Sequence, residues 1–201
     1  GFPLLELAFR LGSTSKVFGL DPWEGALERI RLKMRVLDIK NVEVVKGVAE
    51  NMPFEDDYFD LIVSNNGMNN PEDMRLSLSE CSRVSKAGAQ FVFTFNLPET
   101  MTEFYNIFEE TLRGNRLVDE INRMKAQIYS KRKPLSEIES LLQAAHFKIE
   151  EIRHRSFMMD FVDGTTMFNH YLIKYWFLDG WKKVVRMEDL ERIFGLVEKE
   201  I

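Results

Sequence analysis

The chain has 201 residues, of which 45% are hydrophobic, and its formal net charge at pH 7 is -5. This length and composition predict one globular domain with a substantial core, and the acidic balance gives no electrostatic reason to expect a nucleic-acid partner. No apolar run approaches the roughly 18 residues that a membrane-spanning helix needs. The single cysteine, Cys81, excludes an intramolecular disulfide and a multi-cysteine metal site, and it favours a cytoplasmic location.

The first elements predicted along the chain are a helix, a strand and a second helix. The amphipathic pattern of residues 4–12 predicts a helix that ends at a glycine. The apolar run Val17–Leu20 predicts a buried strand that closes on Asp21, and residues 22–37 predict a helix with a proline at its start. An acidic side chain at the tip of such a strand suits the paired hydroxyls of a ribose.

Two further strands are predicted on either side of an acidic, turn-rich loop. They correspond to the apolar runs Val42–Val45 and Tyr58–Val63. In an open parallel sheet, the residues just past the carboxyl ends of the strands line the ligand crevice. Small and polar residues stand at these positions: Gly47, Ala49 and Glu50 after the first strand, and Asn65, Asn66 and Gly67 after the second. Together with Asp21 they predict a site for a nucleoside-sized ligand.

The rest of the chain is predicted to be mostly helical. The expected elements are a helix over Asp73–Val84, a turn over Lys86–Ala89, a strand over Gln90–Phe95, a long helical passage over Thr100–Tyr129, a helix capped by Ser136, a strand over Phe147–Arg153 and a last helix over Glu188–Lys199. In the first of these helices, Leu76, Cys81 and Val84 are expected to face the core. Cys81 is therefore predicted to be a packed side chain rather than a nucleophile.

Three segments resemble a known family. VFGLD at 17–21, GVAENMPFEDDYFDLIVSNN at 47–66 and RVSKAGAQFVFTF at 83–95 are together similar to the class I S-adenosylmethionine-dependent methyltransferases, in the small-molecule, ubiquinone-biosynthesis-like branch. The resemblance extends from Gly1 to about His154. It implies an α/β fold with a Rossmann-like, mostly parallel sheet flanked by helices, and a helical, aromatic elaboration on the side of the methyl acceptor.

The resemblance also implies how the chain is organised. Residues 1–155 are expected to form the core that binds S-adenosylmethionine, with a helical insertion at about 100–130. Residues 156–201 are expected to form a C-terminal helical segment on the acceptor side of the same domain. In the family a strand and further glycines come before the position of Gly1, and a seventh strand often follows a segment like the last helix. We therefore expect the chain to be part of a longer protein.

The cofactor implied by the resemblance is S-adenosylmethionine, with S-adenosylhomocysteine as its product. The residues expected to bind it are Gly1, Asp21, Pro22, Trp23, Ala49, Glu50, Asn65 and Asn66. Among them, Asp21 corresponds to the ribose acceptor and Ala49 and Glu50 to the residues that flank the adenine. A packed Trp23, a plain polar turn at Ala49 and Glu50, and a turn-filling role for the two asparagines are open alternatives.

A segment dense in methionine and aromatic residues, at 156–181, fits a wall around a small, partly apolar organic acceptor. A homodimer surface or plain core are the alternatives. His170 lies in this segment and is the candidate for a general base towards the acceptor, with a structural role as its alternative. Methyl transfer from a sulfonium is a direct displacement, which mainly needs alignment of the reactants and exclusion of water.

Two other functions fit the same residues. A strand-end acid that binds ribose is also found in NAD-dependent oxidoreductases, although the AENMPF loop at 49–54 is not required there. A non-catalytic protein that keeps the cofactor fold is the second alternative. The sequence shows no cluster of His, Asp and Glu with ligand spacing, so no metal is expected.

Overall fold

The computed structural model describes residues 3–201, which form a mixed α/β structure. The strands are β1 (Val17–Asp21), β2 (Val42–Lys46), β3 (Phe59–Asn65) and β4 (Ser85–Thr94). The helices are α1 (Leu4–Leu11), α2 (Glu24–Val36), α3 (Met74–Val84), α4 (Thr102–Gly114), α5 (Val118–Lys131), α6 (Leu135–Ala144), α7 (Gly164–Asn169), α8 (Tyr171–Trp176), α9 (Leu178–Lys182) and α10 (Leu190–Glu200). Short 3-10 turns lie at Gly67–Asn69 and Met187–Asp189.

The strands form two parallel pairs, each joined by a helical crossover. β1 and β2 are connected by α2 and pair with Asp21 opposite Lys46. β3 and β4 are connected by α3 and pair with Asn65 opposite Thr94. Among residues 3–201, the sheet assignment gives β1 no partner but β2, and β3 no partner but β4. Because parallel strands run in the same direction, each pair presents both carboxyl ends, and therefore the predicted polar residues, at one edge.

Backbone contacts divide the chain into two compact units. The first contains the four strands and comprises the residues up to Phe95 together with Ile138–Ile149. It holds one core cluster around α1, α2 and β2 (Leu5, Ala8, Ile30 and Val42) and another around α3 and α6 (Met68, Leu78, Ile138, Leu142 and Ala145). The rings of Phe18 in β1 and Phe59 in β3 meet edge to face, with centroids 5.6 Å apart. Aromatic packing thus links the two strand pairs.

The second unit is helical and comprises Asn96–Glu137 and Glu150–Ile201. Its core is built by α4, α5, α7 and α10 around Trp181, which is fully buried. The indole of Trp181 stacks on Phe104 with ring centroids 3.7 Å apart. Much of the segment 156–181 is not core, since Phe157, Met158 and Val162 are each more than 80% exposed. The predicted division at residue 155 into a cofactor core and an acceptor-side segment stays a prediction.

The structure confirms the predicted elements up to residue 84, apart from shifts of one or two residues at their ends. α1 ends at Gly12, whose φ of 75° is the left-handed backbone that glycine adopts without strain. α3 begins after Asp73, whose carboxylate accepts a hydrogen bond from the backbone N–H of Leu76.

The strand predicted over Phe147–Arg153 is wrong, because these residues have no regular secondary structure. Phe147 packs against Phe91 of β4, with ring centroids 5.3 Å apart, but the residues from Lys148 to Arg153 are exposed. An alternating pattern becomes a strand only where a neighbouring strand can pair with its backbone groups. Among the residues that the structure describes, β4 is paired with β3 alone, so this segment has no such neighbour.

The long helical passage predicted over Thr100–Tyr129 consists of two helices, α4 and α5. The first ends where Arg116 adopts a left-handed backbone with φ of 60° and the N–H of Leu117 donates to the carbonyl of Leu112. This closure turns the chain so that Leu117, 8% exposed, enters the core. Gly114 and Asn115 precede the turn and are the sequence signal for it.

Smaller expectations also differ from the structure. The turn predicted over Lys86–Ala89 is a bulge inside β4, opposite Asp60 of β3, and Gly88 in it has φ of 80°. Leu76 is 46% exposed rather than buried, whereas Cys81 and Val84 face the core as predicted. Ser136 lies inside α6 rather than at its cap, and the last helix begins later than predicted, at Leu190. None of the helices that residues 3–201 form is both long enough and apolar enough to cross a membrane.

Candidate functional site

Asp21 is the last residue of β1, and Pro22 and Trp23 separate it from the start of α2. Its Oδ1 accepts a hydrogen bond from the backbone N–H of Trp23 at 2.8 Å, which fixes the direction of the carboxylate. Trp23 is 60% exposed, and its ring covers Gly25, where an added Cβ would lie 3.1 Å from the indole. The structure therefore gives Trp23 a packing contact at the helix start while leaving most of its surface accessible.

The loop that follows β2 returns closely over the ends of the first strand pair. An added Cβ on Gly47 would lie 2.8 Å from Cδ1 of Leu20 and 3.5 Å from Cδ of Pro53. Val48 and Asn51 form an isolated antiparallel bridge, so the loop is a defined turn. A side chain at Gly47 would have to displace the end of the Leu20 side chain.

Two side chains of α3 hold this loop in place. The guanidinium of Arg83 donates to the carbonyl oxygens of Met52 at 3.0 Å and Phe54 at 2.9 Å, and to the carboxylate of Asp56 at 2.7 Å. It also forms a two-point pair with Glu80, at 2.7 and 2.8 Å. Oε2 of Glu80 in turn accepts the N–H of Met52 at 2.8 Å. We call Glu80 and Arg83 together the loop clamp.

The electrostatics of the clamp follow from these contacts. The hydrogen bond from Arg83 holds the pKa of Glu80 below its ordinary value of 4.5, against the opposing effect of burial, and the N–H of Met52 adds to the lowering. The same pairing with Glu80 and Asp56 raises the pKa of Arg83. Both groups are therefore charged at neutral pH, and the two-point geometry is the strong form of such a pair.

Glu50 has a backbone partner in the structure. Its Oε1 accepts the N–H of Glu72 at 2.7 Å and that of Asp73 at 3.4 Å, just before the start of α3. The carboxylate thus ties the loop after β2 to the segment that leads into α3. A ligand that contacts Glu50 must either use the other carboxylate oxygen or replace the two backbone N–H groups that Oε1 accepts.

Asn65 is the last residue of β3, Asn66 follows it, and both contact Thr94 of β4. The hydroxyl of Thr94 accepts the N–H of Asn66 at 3.0 Å and lies 2.7 Å from Oδ1 of Asn65, to which it donates. Asn66 has φ of 56°, a left-handed backbone that asparagine tolerates better than most residues. The two side chains are thus held at the strand end by a hydroxyl that the sequence argument did not single out.

The chain was compared with models of known protein families. Residues 1–93 match the family model described as "Methyltransferase domain". These residues are a little less than half of the chain. The match includes β1, β2, β3 and the loop held by the clamp, and it ends within β4. The predicted resemblance to class I S-adenosylmethionine-dependent methyltransferases is confirmed.

Named relatives and solved structures are also similar to this chain. Demethylmenaquinone methyltransferase of Bacillus mycoides is 34% identical over 100 residues, which are 50% of this chain and 42% of that protein, and a Bacillus cereus protein of the same name is 35% identical over the same shares. The chain thus spans about two fifths of the length of these relatives. The crystal structure of the YcgJ protein from Bacillus subtilis superposes with a TM-score of 0.58 at 20% identity, over 90% of this chain and 67% of that one. A candidate methyltransferase from Bacillus halodurans gives 0.54 at 22% identity, over 89% and 67%.

These structural likenesses confirm the predicted Rossmann-like α/β fold of the methyltransferase domain. The roles of the individual site residues stay predictions. Gly1 lies outside the residues that the structure describes. His170 belongs to the second unit, where it is exposed at the junction of α7 and α8 beside the ring of Phe161. Residues 3–201 contain no group of three or more His, Cys, Asp and Glu side chains arranged to hold a metal ion.

The sequence argument missed the side chains that position the predicted ones. Glu80 and Arg83 are spaced three residues apart on a helix beside an acidic loop, and this spacing places them on one face. That spacing was the available signal for the clamp. Thr94 left no comparable signal, because a threonine near the end of a strand is ordinary β composition.

Cys81 of the methyltransferase domain is predicted to resist alkylation in the folded protein. It is 2% exposed, and its burial, with a smaller contribution from the charge of Glu80, raises the pKa of its thiol to about 12. Only the thiolate reacts efficiently, so iodoacetamide at pH 8 is expected to leave Cys81 unmodified until a denaturant is added. Mass spectrometry of the native and the denatured protein measures this. Rapid alkylation of the native protein would contradict the buried position.

Proposed function

We propose that this chain belongs to an enzyme that transfers the methyl group of S-adenosylmethionine to a small, partly apolar organic acceptor. The observation that carries the proposal is the carboxylate of Asp21 at the tip of β1, beside the end of β2 and within a segment that matches the methyltransferase domain. An acid at this position of a parallel sheet suits two neighbouring ribose hydroxyls.

The residues at the strand ends fit the parts of such a cofactor. Asp21 is oriented by the N–H of Trp23, so its carboxylate is fixed before a ligand arrives. Trp23 offers an exposed indole face for a base, and Ala49 and Glu50 stand on the loop held by the clamp. The amide groups of Asn65 and Asn66 suit the polar methionine end.

S-Adenosylmethionine, when bound, supplies a methyl group on a sulfonium and so needs no further activation of the leaving group. The part of the protein is then to hold donor and acceptor in line and to keep water out. His170 is the proposed base for an acceptor that must lose a proton. Demethylmenaquinone, which the names of the relatives contain, is the first acceptor to assay. A cytoplasmic location and a homodimer remain part of the proposal.

Calorimetric titration with S-adenosylmethionine, S-adenosylhomocysteine and NAD tests the cofactor. Binding of the two sulfur nucleosides and not of NAD is the expected result, and it would also set aside the oxidoreductase. Binding of NAD alone would overturn the proposal. Methyl transfer to an acceptor then separates an enzyme from a non-catalytic protein that binds the same cofactor.

Asp21→Ala is expected to weaken the binding of S-adenosylhomocysteine by about 1.5 to 3 kcal/mol, the range for hydrogen bonds to a charged group. The matched control is Asp60→Ala. Asp60 lies near the amino end of β3, pairs with Lys86, and has a side chain that is 82% exposed. Its replacement removes the same charge as Asp21→Ala, but away from the carboxyl ends of the strands. Calorimetry of both variants measures the difference. Unchanged affinity for Asp21→Ala would retire this residue as the ribose acceptor.

A further inference from the structure

Among residues 3–201, a buried arginine of the second unit has no carboxylate to balance its charge. Arg132 follows α5 and is 4% exposed. Its Nη1 donates to the hydroxyl oxygen of Tyr105 at 3.1 Å, and its Cζ lies 5.2 Å from the centre of the Tyr105 ring and 5.8 Å from that of Phe177. No ion pair of Arg132 with a carboxylate is found among residues 3–201.

The hydroxyl that receives Arg132 is already committed to other groups. Tyr105 Oη also accepts the indole N–H of Trp181 at 2.9 Å and donates to Oε1 of Gln127 at 3.1 Å. Two accepted bonds and one donated bond use the full capacity of a hydroxyl. The hydroxyl and the two aromatic rings offer dipoles and quadrupoles to the guanidinium, but not a full negative charge.

The buried acid of the same unit, Glu120, does have partners of opposite charge. Glu120 is 1% exposed, and its carboxylate is paired with Arg123 at 2.9 Å and with Arg186 at 2.8 Å. Burial of an uncompensated charge is costly, and arginine cannot escape the cost by losing its proton. The carbonyl end of α5 supplies only about half an elementary charge. Arg132 is therefore short of an anion, whereas Glu120 has two cations.

We propose that Arg132 and its aromatic surroundings bind the carboxylate of a small aromatic acid. A carboxylate matches the planar fork of a guanidinium through two parallel hydrogen bonds. The guanidinium of Arg132 lies beside the rings of Tyr105 and Phe177, and the ring of Tyr105 in turn contacts that of Trp181. These rings suit the flat, apolar ring of an aromatic acid. A strongly hydrated inorganic anion has no comparable gain in such surroundings. The proposal concerns the second unit alone and does not depend on cofactor binding.

Entry of the acid requires movement of the side that carries Phe177. This residue is half-buried and joins α8 and α9, helices of six and five residues. Helices this short are not stable on their own and depend on packing. The short helical segment is the part of the surroundings that can yield without unfolding α4 or α5.

Indole N–H signals in nuclear magnetic resonance test the proposal directly. Trp181 donates to the same oxygen as Arg132, so an acid that draws the guanidinium away shifts the Trp181 signal. Trp23→Phe and Trp176→Phe, at exposed positions, identify that signal by elimination. Titration of the 201-residue chain with benzoate is expected to give a saturable shift. Benzamide, the neutral analogue, and inorganic phosphate are expected to give none.

Variants complete the test. Arg132→Gln is expected to weaken the benzoate response by roughly tenfold to a hundredfold, the loss of charge-assisted hydrogen bonds. Arg116→Gln makes the same change of charge at an exposed position at the other end of α5, and should keep the response. If Arg132→Gln does not fold, Arg132→Lys replaces it as the test variant. The comparison of benzoate with benzamide in the unmodified chain then tests whether the carboxylate is needed. Equal shifts with benzamide or phosphate, or no shift with benzoate, would overturn the proposal.

Discussion

Replacing Arg83 with methionine is expected to destabilise the first unit by about 2 kcal/mol, the cost of losing charge-assisted hydrogen bonds in a partly buried ion pair. The change removes three hydrogen bonds to the loop after β2 and leaves Glu80, whose side chain is 15% exposed, without its cation. It should also weaken S-adenosylhomocysteine binding, because Ala49 and Glu50 lie on the loop that the clamp holds. Chemical denaturation and calorimetry measure the two effects.

The control for this prediction is Arg10→Met in α1. Arg10 also forms an ion pair, with Glu6 one helical turn away, but it is 77% exposed. Such surface pairs contribute about 0.5 kcal/mol or less. A loss of stability in Arg83→Met no greater than that of Arg10→Met would show that the clamp does not hold the loop.

The clamp also has a pH dependence whose sign follows from Glu80. The folded state lowers the pKa of this carboxyl below 4.5, so the folded state binds its proton less readily than the unfolded state does. The stabilisation is therefore complete above about pH 5 and is lost as the pH falls below the ordinary value towards the lowered one. In Glu80→Gln this part of the acid dependence should disappear, while stability at neutral pH falls.

The elements that could be predicted from the sequence are those specified by residues within the element itself. β1, β2, β3 and α3 have apolar periodicity, a cap or a strand-end acid, and each lies where it was predicted. Within these elements the positions of Asp21 and the two asparagines at the strand ends followed from the rule for parallel sheets. The identity of the family followed from the order of the motifs, not from any one of them.

The parts that failed depend on partners that are distant in sequence. A strand over Phe147–Arg153 needed a neighbour to pair with, and alternation in the sequence does not supply one. The break between α4 and α5 brings Leu117 into the core, a distant contact that the local signal of Gly114 and Asn115 does not specify. The exposure of Leu76 shows the same limit, because a helix face is buried only where something covers it. Glu80 and Arg83 acquire their function from a loop about thirty residues away.

Gly164→Ala is expected to destabilise the second unit by about 3 kcal/mol, at the upper end of the usual cost of overpacking. Gly164 is buried at the start of α7, where an added Cβ would lie 2.2 Å from the backbone oxygen of Glu198 and 2.8 Å from its Cα. A flexible side chain could turn away from such a contact, but helix backbone cannot. The methyl group must therefore push α7 away from α10 and disturb the contact between Phe168 and Phe194, whose ring centroids are 5.8 Å apart.

The matched control is Gly195→Ala, the same substitution within α10 itself. An added Cβ on Gly195 meets no atom within 4 Å, and the position is helical. Alanine there should stabilise the second unit by about 0.5 to 1 kcal/mol, because glycine loses more backbone entropy on folding. Thermal and chemical unfolding of the two variants should therefore move in opposite directions. Equal stability of Gly164→Ala and the unmodified chain would mean that α7 and α10 do not pack through this glycine.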